Sequence, residues 1–293
     1  MLVSTLRQKK IDMTIKHYLE QIESFQEKKI LVTGATAGIG LELTKQLLEK
    51  DAFVVMLIRS IEKGNVVKNE LLKTYPNGKI EMVQYDQSDY ESIDQAVLEI
   101  KERHSDFYAF VANAGILFPK KEDKSKQGNP LTIETNYLGL RKMMDSLLSL
   151  FKNKRYVFEG SLAAGLHIPK NVDIYNGEYQ LFKQYNISKA CVEALFYHYY
   201  TTNKENEFIL SEPGVASSDI IRNFHQPIRF LGKLTMTLFS HPKNKASLTM
   251  LKGLSRDSKN GDYYVPRGFL TYRGFPKKKA FPKYRRREFL INL

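Results

Sequence analysis

The feature that most constrains this chain is its rhythm. From residue 29 onward, short apolar runs alternate with helix-length amphipathic stretches, the pattern that βαβ units and a parallel sheet require. The runs KILVT (29–33), FVVMLI (53–58), KIEMVQY (79–85), FYAFVA (107–112), RYVFEG (155–160), EFILSE (207–212) and DYYV (262–265) read as strands. Helices are expected near 39–50, 61–74, 89–104, 131–151, 186–201 and 243–254. Seven strands with helices on both faces describe an α/β, doubly wound, mostly parallel sheet.

The 293 residues suit one elaborated domain, because single α/β domains reach about 200–250 residues. The expected organisation is a helical leader over 1–27, a single α/β domain over 28–270 and a basic tail over 271–293. Within the domain, residues 220–240 break the rhythm with Pro227 and Gly232 between apolar clusters, as a cover over a site would. Its apolar residues, with Arg229 and Lys233, suit lining an apolar pocket better than dipping into a lipid surface. No run reaches the roughly 20 apolar residues of a spanning helix, and the start is too charged for a signal-peptide core. Cys191 is the single cysteine, which excludes an intrachain disulfide framework and favours a reducing, cytoplasmic setting.

After the first strand comes Thr33-Gly34-Ala35-Thr36-Ala37-Gly38-Ile39-Gly40, followed by a helix. Glycines at such a turn let backbone N–H groups approach a pyrophosphate at the positive end of the helix dipole, the dinucleotide site of a Rossmann fold. The second strand ends Ile58-Arg59-Ser60-Ile61-Glu62-Lys63. There is no carboxylate at its tip for a ribose 2′-hydroxyl, whereas Arg59, with Lys63 a turn later, suits a 2′-phosphate. NADP(H) is the expected cofactor.

The order of the remaining motifs resembles the short-chain dehydrogenase/reductase family, which joins a TGxxxGIG turn to an NAG strand end, a serine and a YxxxK pair. Here these are Gly34, Gly38 and Gly40; Asn113-Ala114-Gly115; Asn136 in Thr135-Asn136-Tyr137; Ser161; Tyr185 with Lys189; and Pro213-Gly214. The resemblance covers roughly residues 28–270 and implies an oxidoreductase. A phenol has an ordinary pKa of about 10, and a nearby cation favours its ionised form. Lys189, four residues after Tyr185 on one helical face, can supply that charge. Tyr185 is then the acid/base toward a carbonyl or alcohol oxygen, and Ser161 hydrogen-bonds the same oxygen as charge develops.

The resemblance further implies that Lys189 holds the nicotinamide ribose, Asn136 positions a relay water, and Asp86 meets the adenine. By the same resemblance Asn113 and Gly115 lie along the cofactor, as do Thr36 and Ile39 of the glycine turn, and Val215 after Pro213-Gly214 contacts the nicotinamide amide. The 24-residue gap between Ser161 and Tyr185, with Arg59, resembles the retinol-dehydrogenase-like branch, which implies a bulky apolar alcohol or carbonyl substrate. The family implies a homodimer built on the helices near 131 and 186. Two departures stand out: Glu159 and Glu212 at strand ends, where each carboxylate either meets the site or points into a solvated edge.

Lysine and arginine number 45 against 32 acidic residues, a net charge of +13, which favours anionic partners without choosing among them. The tail from Lys277 to Arg287 reads as solvated rather than as a nucleic-acid or membrane contact, since no nucleic-acid fold accompanies it. No histidine pair or cysteine set offers a metal site. The rival function is a catalytically silent dinucleotide sensor, which has no use for Ser161, Tyr185 and Lys189.

Overall fold

The computed structural model describes residues 14–117, 123–170, 172–175, 180–216, 241–268 and 271–292. The cover expected over 220–240 lies outside them. Strands β1 (Lys29–Thr33), β2 (Phe53–Ile58), β3 (Lys79–Gln84), β4 (Ala109–Ala112), β5 (Arg155–Glu159), β6 (Glu207–Ser211) and β7 (Tyr263–Pro266) fall where the apolar runs place them. They pair in parallel in the order β3-β2-β1-β4-β5-β6-β7. The order reverses between β1 and β4, and a crevice opens there at the carboxyl ends of the strands.

Strand side chains alternate between faces with period two, and two cores result. Leu31, Val55, Leu57, Phe110, Tyr156, Phe158, Phe208 and Leu210 belong to one buried cluster. That cluster includes residues of α4 (Tyr90–Arg103), α6 (Gly139–Leu150) and α7 (Leu181–Thr202). Their neighbours Ile30, Val32, Val54, Met56, Val111, Val157 and Ile209 belong to the other, with residues of α2 (Gly38–Glu49) and α3 (Ile61–Thr74). Burying one such aliphatic side chain stabilises the fold by about 1.5–3 kcal/mol.

Several details differ from the sequence expectation. Among the described residues the sheet has eight strands, not seven: β8 (Pro276–Lys279) comes from the basic tail and pairs antiparallel with β7. Its three lysines are exposed, so an edge strand held by backbone hydrogen bonds leaves no apolar pattern to read. The leader turns helical over 14–20 as α1, and Ile15, Leu19, Ile22 and Phe25 are buried in the α2 core. Helix α7 begins at Leu181 rather than near 186. The long helix expected over 131–151 is α5 (Leu131–Ile133), a π-helical turn over Glu134–Leu138, and α6. The π turn carries Asn136, in keeping with the association of such bulges with functional sites. The last helix breaks at Ser247 into α8 (Lys243–Ala246) and α9 (Leu248–Leu254).

Candidate active site

The glycine turn links β1 to α2 with Gly34 at φ +68° and Gly38 at φ +61°, a region that favours glycine. At Gly40 the constraint is space. A β-carbon there would lie 2.4 Å from the Asn113 side-chain nitrogen and 2.5 Å from the Gly34 carbonyl. Asn113 braces this approach, donating from Nδ2 to the Thr33 carbonyl at 2.8 Å. The Thr33 hydroxyl in turn accepts from the Asn113 and Ala114 N–H groups at 3.0 and 2.9 Å. No side chain caps the start of α2, so its first N–H groups face the crevice with their positive partial charge.

A cavity of about 480 Å³ opens on this turn, lined among others by Gly34, Thr36, Gly38, Ile39, Arg59, Asp86, Asn113 and Gly115. Arg59 is exposed at the tip of β2, while Lys63 does not line the cavity. Ser60 caps α3 by accepting the Lys63 N–H at 3.3 Å. Asp86 accepts from the Ser88 N–H and hydroxyl at 2.9 and 2.7 Å. Gln87, to which sequence reasoning gave no role, also lines the cavity. It donates to the carbonyls of Thr135 and Ala114, tying β3 and β4 to the π turn. A turn glycine pair, an uncapped helix start and a crevice of this size fit a dinucleotide.

A second cavity, of about 450 Å³, shares Ile39, Asn113, Gly115, Ile116 and Glu159 with the first, so the two join. Ser161, Tyr185, Lys189, Pro213, Gly214 and Val215 line it, together with apolar Leu117, Leu162, Leu166 and Phe182. Tyr185 donates to Ser161 Oγ at 3.5 Å, and that oxygen also accepts the Ala163 N–H at 3.2 Å. The serine's own hydrogen is left to point at an oxygen in the cavity. Lys189 is buried and donates from Nζ to the Glu159 carbonyl oxygen at 3.0 Å. Asn136 accepts the Ile116 N–H at 2.8 Å and donates to the Ile116 carbonyl at 3.0 Å and to Ser188 Oγ at 2.9 Å.

Of the two unexpected carboxylates, Glu159 does meet the site. It lines both cavities, with Oε1 3.8 Å from Lys189 Nζ. Burial pushes its carboxyl above the ordinary range, and the lysine offsets only part of that rise. Glu212 does not reach the cavities and does not point into a solvated edge. It is fully buried and accepts from Tyr263 at 2.9 Å and from Arg285 at 3.0 Å.

His241, unassigned by sequence, supports the Pro213–Val215 loop. Its Nε2 donates to the Pro213 carbonyl at 2.7 Å, and its N–H donates to the Val215 carbonyl at 3.0 Å. Burial pulls the imidazole down to about 4, against about 6.5 for an unhindered histidine. The folded state therefore binds fewer protons than the unfolded chain between these values. This contribution to stability is present above pH 6.5 and is lost as pH falls toward 4. Urea titrations at pH 7 and 4.5 are expected to show wild type losing about 2–3 kcal/mol more than His241→Gln. Parallel losses in the two proteins would contradict this role.

Residues 28–172 match the family model of the short chain dehydrogenases, which takes in Ser161 but not Tyr185 or Lys189. A short-chain dehydrogenase/reductase of Penicillium rubens is 28% identical over 185 residues, 59% of this chain and 52% of that protein. The chain thus spans about half the length of that relative. Another, from Emericella nidulans, is 24% identical over 277 residues, 87% of each chain. Among solved structures, a short chain dehydrogenase from Burkholderia cenocepacia in complex with NADP superposes with a TM-score of 0.63 at 19% identity, covering 80% of this chain and 93% of that one. The mostly parallel sheet agrees with these matches, and the chain belongs to the short-chain dehydrogenase/reductase family.

Proposed function

We propose that the protein is an NADP(H)-dependent oxidoreductase that transfers a hydride between the nicotinamide and an apolar alcohol or carbonyl compound. One observation carries this reading: the Ser161 and Tyr185 hydroxyls stand 3.5 Å apart in a largely apolar cavity that opens into the dinucleotide crevice. When bound, the cofactor supplies the hydride chemistry itself. Gly34, Thr36, Gly38, Ile39, Gly40, Asn113 and Gly115 hold its phosphates and spine, Asp86 its adenine, and Pro213, Gly214 and Val215 its amide end.

Two hydroxyls so close can both reach one substrate oxygen. Ser161 donates a hydrogen bond to it, and Tyr185 gives it a proton in reduction or takes one in oxidation. Lys189, buried four residues along α7, supplies positive charge beneath the phenol and holds the ribose. Asn136 grips the Ile116 peptide from both sides and so fixes the frame from which a relay water passes protons toward Lys189. Leu117, Leu162, Leu166 and Phe182 favour an apolar substrate body. The same reading takes the protein as cytoplasmic and as a homo-oligomer; light scattering on the purified chain tests the oligomeric state.

Arg59 sets the cofactor preference, with Lys63 adding positive charge one turn away. Arg59→Asp removes the donor for a 2′-phosphate and offers a carboxylate to a ribose hydroxyl. A charge-assisted hydrogen bond contributes about 1.5–3 kcal/mol, so NADPH affinity should fall roughly 10- to 100-fold while NADH affinity rises. Fluorescence titration with the two dinucleotides checks this, and unchanged preference would sink the assignment. The function itself is tested by following NADPH and NADH consumption with a panel of apolar aldehydes and ketones. The reading predicts turnover with NADPH; tight binding without turnover across the panel points to the silent sensor instead.

A further inference from the structure

Arg285 lies beyond the residues matched by the family model, in the segment that reads as a solvated basic tail, yet it is 5% exposed. Its guanidinium is directed at the underside of the active site. Nε donates to Glu193 Oε2 at 2.7 Å, and Nη1 donates to the Tyr263 hydroxyl at 3.0 Å. Nη2 donates to the Ser161 backbone carbonyl at 2.9 Å, to Glu212 Oε2 at 3.0 Å and to Glu193 Oε1. Nη2 has two hydrogens for these three acceptors, so one bond is shared.

Each acceptor belongs to an element that carries part of the site. Ser161 follows β5. Glu193 sits four residues after Lys189 and eight after Tyr185, on the same face of α7. Glu212 immediately precedes Pro213-Gly214-Val215. Glu193 and Glu212 are fully buried, and buried carboxylates require a cation with good geometry. The neighbouring Arg287 donates to the carbonyls of Ala164 at 2.6 Å and Leu166 at 2.5 Å, on the loop that lines the second cavity. The Leu290 carbonyl accepts from Tyr137 at 3.1 Å, next to Asn136.

We infer that Arg285 is a positioning residue, which fixes the Ser161 hydroxyl relative to Tyr185 by clamping the Ser161 carbonyl to Glu193 and Glu212. This inference rests on the oxidoreductase reading only for its effect on turnover. A planar five-donor fork can meet all these acceptors at once, and the ammonium of a lysine cannot. Loss of the clamp leaves Ser161 joined to α7 through the Tyr185 hydroxyl and the Glu193 carboxylate, without the guanidinium that ties its carbonyl to Glu193 and Glu212 together.

The decisive measurement is amide hydrogen exchange by mass spectrometry on the full chain without ligand, comparing wild type with Arg285→Lys. Exchange in peptides covering residues 160–166 is expected to rise about tenfold or more, as loss of a charge-assisted hydrogen bond implies, while α3 peptides stay unchanged. Unchanged exchange at 160–166, or a rise shared equally with α3, overturns the inference. Should Arg285→Lys fold poorly, Arg285→Met with Glu193→Gln and Glu212→Gln removes the unbalanced buried charge. If Arg285 only balanced charge, this triple variant would restore wild-type exchange, which also overturns the inference; continued fast exchange at 160–166 supports it.

Turnover separates this inference from the reading beneath it. Where wild type oxidises NADPH with an apolar aldehyde and Tyr185→Phe does not, Arg285→Lys should lower kcat about tenfold, with KM for NADPH within about twofold. Equal kcat in wild type and Arg285→Lys contradicts the positioning role. Absence of turnover in wild type itself counts against the oxidoreductase reading, and the exchange data still decide the place of Arg285.

Discussion

Tyr185→Phe is expected to lower turnover by about 10²- to 10⁴-fold, the range for loss of a general acid–base group, while NADPH still binds. The substitution removes one oxygen and keeps the ring, so the packing of α7 is preserved. What disappears is the hydroxyl 3.5 Å from Ser161 Oγ, the group that in the proposed reaction exchanges a proton with the substrate oxygen. The lost interaction is made in the transition state, so the effect should fall on kcat and leave the dinucleotide Kd within about twofold. Steady-state kinetics with fluorescence titration of NADPH separates the two quantities. A variant that retains a tenth or more of wild-type turnover would remove Tyr185 from the acid/base role.

Gly139→Ala should be the most destabilising single-methyl change near the site. Gly139 opens α6 directly after the π turn that carries Asn136, and its backbone is ordinary α-helix at φ −65° and ψ −38°. Conformation therefore does not demand glycine, but space does. A β-carbon there would lie 1.7 Å from the Gln87 carbonyl oxygen and 2.9 Å from its carbon. A backbone carbonyl cannot rotate away as a side chain can, so α6 or the β3–α4 connection must shift. Overpacking typically costs 1–3 kcal/mol and occasionally more, and this contact should cost about 3 kcal/mol or more. At about 2–4 °C per kcal/mol for a domain of this size, Tm falls by roughly 6–12 °C. Gln87 also joins the Ala114 and Thr135 carbonyls beside the crevice, so NADPH affinity should fall with Tm. Thermal unfolding with and without NADPH checks both, and a Tm within about 2 °C of wild type would show that the close approach relaxes freely.

Much of this architecture was legible in the sequence, for physical reasons that can be named. Strands buried on both faces are continuous apolar runs, and FVVMLI and KILVT therefore announced β2 and β1 to the residue. Tyr185, Lys189 and Ser161 were singled out by the family resemblance of the ordered motifs, and the structure places all three on one cavity. What was hidden depends on contacts distant in sequence. Arg285 sits in a run of basic residues that reads as solvated, and its partners Glu193 and Glu212 lie 92 and 73 residues away. The edge strand β8 pairs through its backbone and a Lys278–Asp262 ion pair, with no apolar run to mark it. His241 and Gln87 act by gripping backbone carbonyls, a role that any polar side chain can take and that no motif marks. The leader was amphipathic, but nothing in its sequence showed that Ile15 and Leu19 pack into the α2 core.

In the proposed reaction, one connected cavity brings a nicotinamide and a carbonyl oxygen together at Ser161 and Tyr185. The most direct test is to supply NADPH carrying deuterium at the transferable nicotinamide position, together with a mixture of apolar aldehydes and ketones. Mass spectrometry then shows where the label goes. Deuterium is expected on the former carbonyl carbon of at least one alcohol product with wild type, and none above background with Tyr185→Phe. Tight NADPH binding with no labelled alcohol from either protein, or equal labelling from both, would contradict the proposed reaction.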